Sequence, residues 1–179
     1  MKTSSEILIS GAGIAGLTAA IWLAKKGFRP VIVEKADSPR VGGFLVALSH
    51  QAYFFAEEMG LLPEIRKCDL GITSSSYHDR TGRSLLELDY HALFDGLGIV
   101  QICRDDLAKI LFEQAKDLVD IRFGESISSL SQDGQKVQVA FDNGKAQEFD
   151  IVIGADGLHS IVREQIFLPD EYSQYFLDL

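Results

Sequence analysis

At 179 residues and 46% hydrophobic, the chain is about one domain long, or slightly more, and can bury a substantial core. Its net charge of −9 argues against a polyanionic partner such as DNA, although backbone N–H groups can still hold one nucleotide locally. Cys68 and Cys103 match neither a metal-site nor a CxxC spacing, and no stretch suits a signal peptide or a membrane span, so the expectation is a cytoplasmic protein with reduced thiols.

In chain order, Ile7–Ile9 reads as a strand, Ile14–Lys26 as a helix and Val31–Val33 as a second strand, a βαβ unit over residues 6–34. Ser10-Gly11-Ala12-Gly13-Ile14-Ala15-Gly16 links strand to helix and is the dinucleotide-binding fingerprint in its proper surroundings. Gly11 permits the tight turn, Gly13 lets the backbone approach a pyrophosphate, and Gly16 lets the helix pack closely on the sheet. Ile14 and Ala15 open the helix, whose N–H groups and positive dipole end face the phosphates. Glu34 ends the second strand, where a carboxylate accepts hydrogen bonds from ribose hydroxyls and repels a 2′-phosphate. FAD or NAD therefore fits better than NADP, with Glu34 and the adjoining Lys35 as binding candidates.

Further along, Gly27 caps the helix, and a loop containing Arg40, Gly42 and Gly43 leads to a helix over Gln51–Met59 that stops at Gly60. Ile72–Tyr77 and Leu85–Leu88 flank Asp79-Arg80-Thr81-Gly82 as a hairpin or longer two-stranded excursion. Asp105–Lys116 has the spacing of an amphipathic helix, with Asp105 and Asp106 in the first turn, where the dipole favours acids. Strand signals follow at Val119–Phe123, Ile127–Leu130, Val137–Phe141 and Phe149–Ile153, with hairpin turns at Asp133-Gly134 and Asn143-Gly144. The last run is nearly all apolar, as a buried central strand would be. It enters Gly154-Ala155-Asp156-Gly157, and Ser160 is the N-cap of a short helix over Ile161–Ile166. The fold class is α/β, a parallel nucleotide-binding sheet that carries an antiparallel β-meander.

Three motifs together resemble the FAD-dependent aromatic hydroxylases, the flavoprotein monooxygenase family that includes p-hydroxybenzoate hydroxylase. They are Gly11-Ala12-Gly13-Ile14-Ala15-Gly16 with Glu34, then Arg104-Asp105-Asp106-Leu107, then the run from Asp150 through Gly154-Ala155-Asp156-Gly157 and Ser160 to Arg163. The third is the specific one. The resemblance implies a Rossmann-like FAD-binding domain over residues 1–179, with residues near 72–100 as a first excursion into a substrate domain. It implies that Arg104 approaches the cofactor, that Asp156 and Gly157 serve FAD and NAD(P)H binding, and, more loosely, that Arg40 contacts FAD. Tyr77, Tyr90, Phe94, Phe54 and Phe55 are aromatics near a substrate's approach, none of them assigned.

The implied chemistry is reduction of FAD by NAD(P)H and transfer of one oxygen from O2 to an aromatic or polyketide-like small molecule. The cofactor performs the hard step, so no metal or nucleophile constellation is expected and no catalytic residue is assigned. Family members run to about twice this length, consistent with two domains. The family's later Gly-Asp motif has no match here, so the resemblance covers an N-terminal part without the C-terminal substrate domain. Three alternatives stay open: a non-catalytic dinucleotide-binding module, a part completed by another chain or a homo-oligomer, and another FAD oxidoreductase of the superfamily. Trp22, the one tryptophan, gives a halogenase no support.

Overall fold

The computed structural model describes residues 5–39, 42–94 and 98–168. The chain forms two compact units, residues 1–40 with 111–179, and residues 41–110.

The first unit opens with β1 (Glu6–Ser10), α1 (Ile14–Lys25) and β2 (Arg29–Glu34). Gly27, at φ 87°, turns the chain out of α1 as the sequence predicts. The second unit contains β3 (Leu45–Ser49), α2 (Gln51–Glu58), α3 (Leu62–Lys67), β4 (Ser74–His78), β5 (Ser84–Asp89), α4 (Tyr90–Leu93) and β6 (Ile99–Cys103). β4 and β5 are the expected antiparallel hairpin. β3 and β6 also pair antiparallel, Ala47 opposite Gln101, a long-range pairing with no local turn signal. α5 (Arg104–Ala115) begins in the second unit and ends in the first.

The first unit closes with β7 (Asp120–Phe123), β8 (Ile127–Gln132), β9 (Val137–Phe141), β10 (Ala146–Phe149), β11 (Ile151–Gly154) and α6 (Ile161–Ile166). Its parallel sheet has the order β11-β1-β2-β7, and β10-β9-β8 form the antiparallel meander. β7 thus joins the parallel sheet. Tight turns at Gly134 and Gly144, both with positive φ, connect the meander strands.

One expectation is corrected. Phe149–Ile153 is not one buried central strand, because Asp150 breaks it into β10 and β11, and β11 lies at the sheet's edge with Ile151 exposed. Asp150 explains the break. Its carboxylate accepts from the Glu6 amide at 2.8 Å and from the Lys136 ammonium at 2.6 Å. The chain leaves the antiparallel meander there and enters the parallel sheet. The central strand is β1, flanked by β11 and β2, with Ile7, Leu8 and Ile9 fully buried. Leu8 and Val33 pack with Val139, Phe141, Phe149 and Val162, which seats the meander and α6 on one face of the sheet.

Candidate functional site

The register of the parallel sheet sets the site. Ser10 lies opposite Gly154 on one side and Val33 on the other, so β11, β1 and β2 end level. Three loops then leave the same edge: Gly11–Gly13, Ala155–Gly157 and the turn after Glu34. Main-chain bonds stitch them together, Gly11 N–H donating to the Val33 carbonyl (2.8 Å) and Ala155 N–H to the Ser10 carbonyl (2.8 Å). The carboxyl ends of parallel strands are where open α/β sheets bind ligands.

The three fingerprint glycines have different tasks. Gly11 sits at φ 105°, and a Cβ there would lie 2.5 Å from the Ala155 carbonyl oxygen. At Gly16 a Cβ would lie 1.9 Å from the Gly11 carbonyl oxygen, so glycine is what lets α1 press against the loop. Gly13 is unlike both. Its φ of −79° suits any residue, and a Cβ would meet nothing within 4 Å. The fold does not need glycine at 13, and the space it leaves open is at the mouth of α1.

α1 has no side-chain cap and no acid in its first turn, and its first intrahelical bond runs from Leu17 N–H to the Gly13 carbonyl (2.9 Å). The N–H groups of Ile14, Ala15 and Gly16 precede that bond, so they point out of the helix end. Donors, dipole and open space coincide, which fits a diphosphate.

Beside them, Glu34 is half-buried, one carboxylate oxygen accepting from Ala12 N–H (2.9 Å) and the other from Ala36 N–H (3.0 Å). Both oxygens are oriented by backbone and retain lone pairs for a ribose. Lys35 is exposed. Asp156 lies behind Gly11, its Oδ2 accepting from Ser10 Oγ (3.2 Å), Ile161 N–H (2.9 Å) and Val162 N–H (3.3 Å). Gly157 follows at φ 80°, and a Cβ there would meet nothing within 4 Å. Ser160 caps α6 as expected, its hydroxyl accepting from Arg163 N–H at 3.0 Å.

Gly11, Gly13, Ile14, Ala15, Gly16, Glu34, Asp156 and Gly157 are therefore gathered in the first unit. Arg104 is exposed at the start of α5 in the second unit. Its stem crosses Gly43, where a Cβ would lie 2.8 Å from the Arg104 Cβ, and its N–H donates to the Phe44 carbonyl (2.9 Å). The Asp105 carboxylate accepts from Gly42 N–H at 2.6 Å, so the glycine loop and the Arg104 turn form one structure. Arg40 lies outside the described residues. Among the described residues no group of His, Cys, Asp and Glu side chains could hold a metal. Ser10, which the sequence reading names in the fingerprint run without a role of its own, donates to Asp156. The available signal was a hydroxyl ending an otherwise apolar strand.

Comparison with known proteins agrees with this geometry. The sequence model of the FAD binding domain family matches residues 4–176. An uncharacterised Mycobacterium tuberculosis protein is 38% identical over 175 residues, covering 96% of this chain and 46% of the relative. A flavin-dependent monooxygenase of Legionella longbeachae is 36% identical over 173 residues, covering 96% of this chain and 44% of its own. The crystal structure of tetracycline destructase Tet(55) superposes with a TM-score of 0.80 at 36% identity, covering 95% of this chain and 43% of that one. The chain spans somewhat under half the length of the relatives it matches.

Proposed function

Because the chain belongs to the FAD binding domain family, with FAD as its cofactor, we propose that it is the FAD-holding part of an NAD(P)H-dependent flavin monooxygenase. On this reading the substrate is an aromatic or polyketide-like small molecule, and O2 is the co-substrate. The likeness to a tetracycline destructase supports a ring system of that kind. Among the described residues no helix is long and apolar enough to cross a membrane.

The observation that carries the reading is Gly13, a glycine whose absent side chain leaves open space where the unpaired amides of α1 emerge. We assign the FAD diphosphate to Gly11, Gly13, Ile14, Ala15 and Gly16, and the adenosine ribose to Glu34, with Lys35 beside it. Asp156 and Gly157 form the wall behind the loop. By resemblance alone, Arg104 and Arg40 supply cations, since guanidinium groups suit phosphate and carbonyl oxygens. When FAD is bound, O2 activation and oxygen transfer are the cofactor's chemistry; the protein's part is to bind and orient it.

The test separates binding from folding. Wild-type chain mixed with FAD should carry bound flavin after gel filtration. Gly13→Val should keep the wild-type circular dichroism and melting temperature, because its Cβ meets no protein atom, yet carry no flavin. A folded Gly13→Val that binds FAD normally would sink the assignment. Peroxide formation from NADH, or product from an aromatic substrate, would distinguish a working oxidoreductase from a module that only binds.

A further inference from the structure

We propose that Ser10 is a positioning residue of the FAD site and that it acts through Asp156; this rests on the FAD reading above. Ser10 ends the apolar run Ile7–Ile9 on the central strand and is buried, at 7% exposure. A hydroxyl in such a place is costly unless it finds a partner. Its partner is Asp156, 146 residues away in sequence, on the loop that follows β11.

The carboxylate is used unevenly. Oδ2 takes three donors, Ser10 Oγ from β1 and the amides of Ile161 and Val162 from the first turn of α6. Oδ1 is buried and has no partner among the described residues. The two α6 amides alone tie the carboxylate only to its own loop and helix. The Ser10 hydroxyl is the bond that ties it to the strand from which the nucleotide loop departs. It therefore anchors to β1 a carboxylate whose Oδ2 the α6 amides already hold and whose Oδ1 is left as an unused acceptor.

That anchor reaches the nucleotide loop by contact. A Cβ on Gly11 would lie 2.5 Å from the Ala155 carbonyl oxygen and 2.9 Å from the Asp156 Cα, so the two loops are stacked backbone on backbone. A shift of the Asp156 backbone would press on Gly11, and Gly11 leads directly to Gly13 and α1. Electrostatics favours the same role. Three donors on one oxygen make the carboxylate a strut between strand and helix.

The experiment is a double-mutant cycle on the chain as it stands, read by FAD titration and by melting temperature without FAD. Ser10→Ala should weaken FAD binding about 2–10-fold, the range one hydrogen bond produces. Ser10→Thr, which restores the hydroxyl, should recover most of it. With Asp156→Asn already in place, adding Ser10→Ala should weaken binding little further, because the serine acts through that carboxylate. Should Ser10→Ala fail to fold, Ser10→Cys reports on the same missing donor. Wild-type affinity in Ser10→Ala, or losses that multiply in the double variant, would overturn the proposal while leaving the FAD reading intact. A wild-type chain that takes up no FAD would overturn both.

Discussion

The two units carry comparably apolar strands and treat them differently. In the first, Ile7, Leu8 and Ile9 of β1 are fully buried, because β1 has a strand on each side, the meander cluster against Leu8, and α1 beside Ile9. In the second, Leu85 and Leu86 of β5 are 66% and 50% exposed, and Tyr77 of β4 is 56% exposed. Each of those strands has one partner and forms a two-stranded ribbon. A ribbon of that kind cannot cover its own faces. Apolar pattern identifies a strand, and what packs on its faces decides whether it is buried: β6, also in a two-stranded sheet, buries Val100 and Ile102.

The largest expected effect breaks the first unit at its tightest point. Gly16→Val puts a side chain 1.9 Å from the Gly11 carbonyl oxygen, backbone that has no room to yield, so the chain should lose its cooperative thermal transition. Set beside the folded but flavin-free Gly13→Val, it would show that one motif contains both a packing glycine and a ligand glycine.

Next in size is a paired test of burial. Phe149→Ala, in the meander cluster with no exposed surface, should cost about 3–5 kcal/mol by chemical denaturation. Leu85→Ser on the exposed ribbon should stay within about 0.5 kcal/mol. Equal losses would mean that the two ways of treating apolar strands are not as different as their exposures indicate.

Glu34→Ala should weaken FAD binding by about 1–3 kcal/mol, through the lost ribose hydrogen bonds and the released Ala12 and Ala36 amides, measured by FAD titration. An unchanged affinity would remove Glu34 from the site.

The smallest effect is in pH dependence. The Lys136 ammonium, and then the Glu6 amide, hold the Asp150 carboxyl below the usual carboxylate range. Stability from a depressed carboxyl is complete above its unfolded value and is lost as pH falls through the folded one. The urea midpoint should therefore decline between about pH 5 and pH 3, and Asp150→Asn should flatten that decline slightly. An identical acid limb in the variant would show that this half-buried pair contributes nothing measurable.

Much of the first unit was legible in the residues because its signals are local. The Asp133-Gly134 and Asn143-Gly144 turns and the Ser160 cap depend on neighbours within a few positions, the fingerprint glycines and Glu34 belong to one βαβ unit, and each is where the sequence places it. The pairing of β3 with β6 was not legible, since it joins segments about fifty residues apart that no single turn connects. The break at Asp150 was hidden for a related reason. An apolar run looks continuous until the partners of its one charged residue, Glu6 and Lys136, are known.

The sequence by itself therefore determined the α/β class and the nucleotide motif, because backbone conformation at a glycine loop is written in adjacent residues, while FAD rather than NAD followed only from the resemblance of three motifs to a family. Tertiary structure alone decided that β11 is an edge, that Gly13 faces open space while Gly16 is jammed, and that Ser10 meets Asp156. Those facts depend on which distant strands lie side by side, and parallel pairing brings together residues whose separation along the chain carries no local trace.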